Sequence, residues 1–179
     1  MHDDDKGFTM IELLVVILIL GILMAMTIPR IMIVRQQANE AAMKMNLHNV
    51  QVVIEEFHAE KGYYAEDFYE DGYGSFFPGG VFDQTLGTLP TNPWSGRQMD
   101  PDEFNPEDYE YEADLSNTDG EGGPNDQYGY EPGEIVYGIW TPEGSDWPTG
   151  YGLTGIGRGG VSIRSFDQDD NAVIFLLHS

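Results

Sequence analysis

The chain is predicted to adopt an α+β fold, in which one long N-terminal α-helix packs against a C-terminal antiparallel β-sheet. From Phe8 to Lys61 the only helix-breaking residues are Gly21 and Pro29, and the apolar residues lie first on every face and then on one face. The later part of the chain contains most of the glycine and proline, with short β-prone runs between turn-forming residues. A length of 179 residues suits one folded unit.

Composition narrows the range of functions. Asp and Glu outnumber Lys and Arg by 31 to 8, which gives a formal net charge of −23. Such a field repels phosphate backbones, so nucleic-acid binding by the acidic part of the chain is disfavoured. The absence of cysteine excludes disulfides, thiolate metal sites and cysteine nucleophiles. The four histidines are scattered and no Ser-His-Asp arrangement is recognisable, so we expect no enzymatic activity.

The segment from Phe8 to Pro29 contains one charged residue, Glu12. As a helix it would cover about 33 Å, close to the thickness of one hydrocarbon core. We therefore expect a transmembrane helix over residues 8–29. A buried core helix is the alternative, but such a helix rarely stays apolar on every face over about six turns. A cleavable secretory signal would end in a small-residue cleavage site, which the sequence TIPRIMIV lacks.

Residues 30–62 are predicted to continue the helix in amphipathic form. Apolar residues recur at three- and four-residue steps, first at Val34, Ala38, Ala41 and Met45, then at Val50, Val53, Ile54 and Phe57. Gly62 stands where a helix C-cap is expected. One helix from about Phe8 to about Lys61 would be roughly 80 Å long.

Residues 63–179 are predicted to form an acidic, β-rich globular domain. They contain 23 of the acidic residues and three basic ones, Arg97, Arg158 and Arg164. Strands are expected at Glu134–Trp140, Val161–Phe166 and Ala172–Leu177, with the turn DQDDN between the last two. From Asp100 to about Pro132 the chain is dense in like charge, and we expect an irregular acidic loop there.

The run YGLTGIGRGG places Gly155, Gly157 and Gly160 at a loose GxGxxG spacing. No helix pattern follows it, so we expect a turn instead of a phosphate-binding loop. The sequence predicts no organic cofactor.

The stretch KGFTMIELLVVILILGILMAMTIPR resembles the N-terminal signature of type IV pilins and of the pseudopilins of type II secretion systems. The resemblance covers about 25 residues and is highly specific. It implies a pilin fold, a leader of residues 1–7, cleavage by a prepilin peptidase between Gly7 and Phe8, and N-methylation of Phe8. It also implies that Glu12, Gly21 and Pro29 act in filament assembly.

Physical chemistry leads to Glu12 independently. A carboxylate inside an apolar span costs about 2.5 kcal/mol or more near the bilayer centre, and it usually has a partner. The nearby basic groups are Lys6 and the amine that a cut after Gly7 would create on Phe8, which the Glu12 of a neighbouring copy would meet in a bundle. The alternative is a glutamate at the interfacial end of the helix with no partner.

Gly21 and Pro29 bracket a segment with weak helical hydrogen bonding, because glycine is flexible and proline lacks an N–H. We expect the helix to kink or melt there. A second stretch, LPTNPWSGRQM from Leu89 to Met99, resembles a segment of pilin globular domains and contains strong turn formers. The leader MHDDDKG departs from the family because it is acidic, whereas family leaders are usually short and basic.

Clustered acidic residues raise the possibility of bound calcium, which prefers several oxygen ligands from a flexible loop. The tightest cluster is Asp167, Asp169, Asp170 and Asn171, and a second is Asp114, Asp119, Glu121 and Asp126. Neither has the twelve-residue EF-hand pattern, and solvated surface charge is the alternative.

The resemblance implies a structural subunit of a type IV pilus-like extracellular filament. The subunit would be held in the inner or cytoplasmic membrane and then assembled into a helical homopolymer by a platform protein and an ATPase. Two alternatives stay open: a type II secretion pseudopilin, and a membrane-tethered binding module that does not polymerise. Adhesion, motility, DNA uptake, protein secretion and electron transfer are all open roles for the filament.

Overall fold

The N-terminal apolar and amphipathic segments form one helix. The computed structural model describes residues 8–66, 89–99, 104–118, 129–166, 168–169 and 171–179, and α1 runs over Met10–Lys61. Gly62 has a φ of +85°, a conformation that glycine adopts readily, and its N–H donates to the His58 carbonyl at 2.7 Å. The predicted single helix and its end at Lys61 are confirmed.

The chain divides into two compact units, Met1–Ala38 and Asn39–Ser179. In the second unit α1 buries one face. Its innermost residues are at most 2% exposed, namely Met43, Leu47, Val50, Val53, Ile54 and Phe57. Of the apolar positions whose spacing predicts the amphipathic helix, the later ones are buried, whereas Val34, Ala38, Ala41 and Met45 are exposed. Two apolar stripes run along this segment, and periodicity alone does not show which one the sheet covers.

Within the described residues, six strands follow α1: β1 Phe104–Asp108, β2 Ile135–Trp140, β3 Gly150–Gly155, β4 Arg164–Phe166, β5 Ala172–Ile174 and β6 Leu176–His178. Strands β1, β2, β3 and β6 form one sheet in that order, and β4 pairs with β5 in a separate hairpin. The α+β class is confirmed. The sheet is mixed and not purely antiparallel, because β1 runs parallel to β2. The connection from Asp108 to Ile135 is long enough for the crossover that a parallel pair needs.

The described part of the predicted irregular acidic loop contains regular structure. It contains β1 and a 3₁₀ helix, Glu112–Ser116. Phe104 is fully buried and Leu115 is 3% exposed. The burial of one apolar side chain in each element therefore offsets the repulsion between the acidic residues around it. Residues 100–103 and 119–128 of this loop lie outside the described residues.

Two further strand assignments differ from the prediction. Gly155 is the last residue of β3, and the predicted turn is confined to the residues after it, where the Gly157 N–H donates to the Val161 carbonyl at 2.7 Å. The run Ala172–Leu177 contains two strands, because β5 pairs with β4 while β6 pairs with β3. Phe175, between them, donates its N–H to the Ile163 carbonyl at 2.9 Å.

Buried tyrosines connect the sheet to the helix side of the core. Tyr137 and Tyr151 are fully buried. The Tyr137 hydroxyl donates to the Ala65 carbonyl at 2.9 Å, and the Tyr151 hydroxyl donates to Glu55 Oε1 at 2.8 Å. The Gln51 amide donates to the Tyr151 hydroxyl at 3.2 Å, so this buried hydroxyl both donates and accepts a hydrogen bond.

Candidate assembly site

Helix α1 begins with a reciprocal cap formed by Thr9 and Glu12. The N–H and the hydroxyl of Thr9 donate to Glu12 Oε2 at 2.8 and 2.7 Å. The Glu12 N–H donates to Thr9 Oγ1 at 3.3 Å. This is a capping box, in which a carboxylate three residues after the N-cap satisfies donors that the first helical turn leaves unpaired. Sequence analysis missed it, although the spacing Thr-x-x-Glu at Thr9–Glu12 was its signal.

The surface around this cap is apolar and exposed. The most apolar 18-residue window of α1 has a mean hydropathy of 2.8, and none of it is buried within the chain. Leu13 and Ile17, one helical turn apart, are each 61% exposed. By length and composition this part of α1 can cross a membrane. Its side chains are equally suited to packing against other apolar helices.

Gly21 and Pro29 both lie inside α1. A Cβ added at Gly21 would meet nothing within 4 Å, so packing within the chain does not require glycine at this position. Pro29 lacks an N–H, which removes the usual donor to the carbonyl one turn earlier. The Thr27 hydroxyl donates to the Leu23 carbonyl at 2.8 Å, a bond that tends to bend helices. The kinked or melted segment stays a prediction.

The predicted cleavage site is described on one side only. Gly7 lies outside the described residues, whereas Phe8 is described and is 85% exposed. Phe8 directly precedes the N-cap, so a new amine created there would lie beside the capping box.

The predicted calcium ligands are also described in part. Asp169 and Asn171 lie in the turn between β4 and β5, and Asp167 and Asp170 lie outside the described residues. Of the second cluster only Asp114 is described, and its carboxylate accepts the Tyr111 N–H at 3.3 Å. Within the described part of the chain no three His, Asp or Glu side chains come together as metal ligands would. Calcium binding stays a prediction.

The second resembling stretch folds around Asn92, which is 4% exposed. Its Oδ1 accepts the N–H groups of Trp94 at 2.9 Å and Ser95 at 3.2 Å, as in an Asx turn. Its Nδ2 donates to the Pro132 carbonyl at 3.2 Å. The predicted turn is therefore present, and it also holds together two segments that are distant in the sequence.

Comparison with known proteins gives a family-model match at the N-terminus and a match to one relative. The family described as the prokaryotic N-terminal methylation motif matches residues 3–28. Over 69 residues the chain is 33% identical to the type IV major pilin protein PilA of Myxococcus xanthus (strain DK1622). That match spans 38% of this chain and 31% of the relative, so the chain covers about a third of that protein's length. No solved structure matches the chain significantly.

Proposed function

We propose that this chain is a structural subunit of a type IV pilus-like extracellular filament, because its N-terminal segment matches the prokaryotic N-terminal methylation motif and part of the chain is similar to a type IV major pilin. In this proposal a prepilin peptidase cuts between Gly7 and Phe8, and Phe8 is then N-methylated. The mature subunit is first a single-pass protein of the inner or cytoplasmic membrane. A platform protein and an assembly ATPase then move it into a helical homopolymer on the cell surface.

The observation that carries the proposal is the hydrogen bonding of Glu12. Among the described residues, Oε2 of this carboxylate receives both Thr9 donors, while Oε1 receives none. A carboxylate accepts several donors at once. The amine that cleavage creates on Phe8 of a neighbouring copy is a cation suited to Oε1 in apolar surroundings. One carboxylate thus caps its own helix and binds the next subunit.

The distribution of apolar and charged residues supports the same function. Between Phe8 and Pro29 the chain has one charged residue, Glu12, whereas residues 63–179 contain 23 acidic and three basic residues. In a filament the apolar helices exchange lipid contacts for contacts with each other. The acidic domains remain in water, where their charge keeps the fibre surface hydrated and soluble.

The substitution Glu12→Gln tests this function by separating the charge of Glu12 from its capping role. Glutamine at this position still satisfies a capping box, so the helix start is retained. We expect membrane insertion and cleavage to persist. The yield of sheared fibres, relative to mature chain in the membrane, should fall about tenfold or more, because a charge-assisted hydrogen bond contributes about 1.5–3 kcal/mol. Glu12→Val should insert at least as well and should also fail to assemble.

Thr9→Val is the matched control, because it removes the capping hydroxyl and keeps the Glu12 charge. We expect it to retain most of the fibre yield. Fibres from Glu12→Gln at the wild-type level would contradict the pairing with Phe8.

The wild-type chain distinguishes the two alternative functions. Short fibres that form only with a type II secretion system would favour the pseudopilin, and absence of any wild-type fibre would favour the tethered module.

A further inference from the structure

Arg158 lies at the tip of a tight turn that follows β3. We call residues 157–160 the Arg158 turn. The Gly157 N–H donates to the Val161 carbonyl at 2.7 Å, and the Gly160 N–H donates to the Gly157 carbonyl at 3.3 Å, so the arginine projects from a fixed position. Arg158 is exposed, and its guanidinium has no hydrogen bond or ion pair with the described residues. In a chain with 31 acidic residues, a cation that stays unpaired in the described part is suited to a partner outside the chain.

The loop between β2 and β3, residues 141–149, carries groups that complement an arginine. We call it the Trp147 loop. Its Glu143 and Asp146 are both exposed. Trp147 is 42% exposed, and its ring stacks on that of Tyr63, with centroids 4.6 Å and planes 18° apart. A guanidinium pairs with carboxylates and stacks on aromatic rings, so a fixed indole with acidic residues beside it in the same loop is a surface that an arginine recognises.

These two surfaces lie at opposite ends of β3, because the Trp147 loop precedes this strand and the Arg158 turn follows it. The strand pairing extends beyond both ends: the Thr149 N–H donates to the Trp140 carbonyl at 3.0 Å, and the Ile156 N–H donates to the Glu134 carbonyl at 2.8 Å. At a rise of about 3.3 Å per residue, Thr149 and Ile156 are roughly 20 Å or more apart. Arg158 therefore cannot reach the Trp147 loop of its own copy.

A second unpaired cation, Arg97, lies at the same end of the sheet as the Arg158 turn. The Asn92 N–H donates to the Arg97 carbonyl at 2.8 Å, and the Asn92 side chain donates to the Pro132 carbonyl at 3.2 Å. The next residue, Gly133, donates its N–H to the Ile156 carbonyl at 2.8 Å. Positive charge is thus concentrated at the end where β3 stops.

The end of the sheet with the Trp147 loop has the opposite charge. The Tyr64 N–H donates to the Pro148 carbonyl at 3.1 Å, which brings the end of α1 beside this loop. Lys61, the last residue of α1, already pairs with Glu60 at 2.9 Å. Glu143 and Asp146 therefore keep a local excess of negative charge.

We propose that the Arg158 turn of one copy docks on the Trp147 loop of another copy in the filament, with the guanidinium stacked on the Trp147 indole and paired with Glu143 and Asp146. This inference rests on the proposed filament, and it names a contact between globular domains that the Glu12 pairing does not. In a helical polymer, each copy meets the next through two different surfaces. Contact between two acidic surfaces would repel, whereas this pair of surfaces attracts. Arginine and tryptophan are also the residue types that contribute most at protein interfaces.

Cross-linking tests the contact directly, because the chain has no native cysteine. In the full chain, cells that assemble fibres would express Val161→Cys with Thr141→Cys, two exposed positions beside the Arg158 turn and in the Trp147 loop. Within one copy they lie at opposite ends of the sheet, roughly 20 Å apart. A thiol-reactive cross-linker shorter than half that distance should join them between copies and give a ladder of covalent multimers on a denaturing gel. The matched control, Arg97→Cys with Thr141→Cys, should give no ladder, because Arg97 belongs to a different loop.

Charge exchange tests the ion pair. Arg158→Glu should lower the yield of sheared fibres, relative to mature chain in the membrane, about tenfold, and Glu143→Arg should lower it several-fold. The double exchange should restore most of the yield. Arg97→Glu with Glu143→Arg has the same net charge as the double exchange and should not be restored. Thermal unfolding of each variant in detergent shows whether the fold has survived.

Substitution of Trp147 tests the stacking. Trp147→Phe keeps an aromatic ring and should retain most of the fibre yield, whereas Trp147→Ala should lower it several-fold. Equal yields from Trp147→Ala and the wild-type chain would contradict the stacking on the indole.

The outcomes separate this contact from the filament itself. Absence of a ladder from Val161→Cys with Thr141→Cys, in fibres that still depend on Glu12, would overturn the docking and leave the filament function standing. Loss of fibres in Arg158→Glu that Glu143→Arg does not restore would also overturn it, because the turn would then bind a different anion. Absence of fibres from the wild-type chain would count against both proposals.

Discussion

Glycines on β3 decide how closely other elements approach the sheet. A Cβ on Gly152 would lie 2.5 Å from the Leu115 carbonyl oxygen, which belongs to the 3₁₀ helix backbone. A Cβ on Gly155, on the opposite side of the sheet, would lie 2.6 Å from the terminal methyl of Met43 and 2.8 Å from its Cγ, both atoms of a flexible side chain. Side chains of this kind move at small cost, whereas a backbone segment does not.

Gly152→Ala should therefore destabilise the protein more than Gly155→Ala does. We expect Gly152→Ala to lower the free energy of unfolding by about 1–3 kcal/mol, in the range for overpacking, and Gly155→Ala to lower it by clearly less. Denaturant unfolding of the full chain in detergent measures both. Equal effects would contradict the close contact between β3 and the 3₁₀ helix.

Asn92 shows what sequence can and cannot reveal about a single residue. Its place in a turn was predictable, because Asn-Pro is a strong local signal. Its bond to the Pro132 carbonyl was not, because no local pattern links positions 40 residues apart. The same holds for Leu115, whose burial depends on glycines of a strand that comes later in the chain.

Asn92→Ala should lower the free energy of unfolding by about 1–3 kcal/mol, because it leaves buried donors and an acceptor without partners. Asn46→Ala is the control, since the Asn46 side chain also donates to a backbone carbonyl, that of Thr91, at an exposed site. We expect a smaller loss there. Similar unfolding midpoints for the two variants would show that Asn92 is no more than a turn former.

Among the larger elements, α1 was predictable almost to its ends because its signals are local: an apolar run, three- and four-residue steps, and Gly62 at the C-cap. The side of α1 that faces the sheet was not, because both stripes are apolar. Likewise, β1 lies in a charged loop and is recruited by pairing with β2, a contact that its own composition does not favour.

Two tyrosine hydroxyls bond to other secondary-structure elements, and because the fold raises their pKa, we expect the protein to become less stable at alkaline pH. Burial, with help from the hydrogen bond to Glu107 of β1, raises the pKa of Tyr130 to about 12. Burial also raises the pKa of Tyr151, which bonds to Glu55 of α1. In the unfolded chain tyrosine ionises near pH 10. Between about pH 10 and 12 the unfolded state therefore binds fewer protons, so the free energy of unfolding should fall as pH rises.

Tyr130→Phe should reduce this pH dependence, since it removes one of the tyrosines whose pKa the fold raises. Unfolding midpoints measured from about pH 9 to about pH 11 would show a shallower decline than in the wild-type chain. An identical decline in the variant would mean that Tyr130 is not held in its protonated form by the fold.

For the whole molecule, charge is the dominant feature, because residues 63–179 carry 23 acidic and three basic residues. Mutual repulsion should make the melting temperature rise with salt, since the Debye length is about 10 Å at 0.1 M and salt therefore screens these charges.

A specific calcium site would raise the melting temperature further, by an increment that magnesium at equal ionic strength does not give. Asp169→Asn should remove that increment alone. Coincident melting curves in calcium, magnesium and sodium would show that these acidic residues are solvated surface charge and not a calcium site.

The α+β class was predictable from the uneven composition, because the chain begins with a long apolar helical segment and continues with an acidic, β-prone remainder. The proposed contact of Glu12 with another copy cannot be seen in a single chain. Its proposal rests on what the chain leaves exposed, namely the second Glu12 oxygen.

The N-terminus of fibres sheared from the cell surface is the most direct test of the filament function. Electron microscopy would establish that the fibres are long and contain this chain, and mass spectrometry of the purified subunit would identify its first residue. We predict a chain that begins with N-methylated Phe8. Long fibres built from subunits that still contain Gly7, or a chain cut after Gly7 that is found only in the membrane, would contradict it.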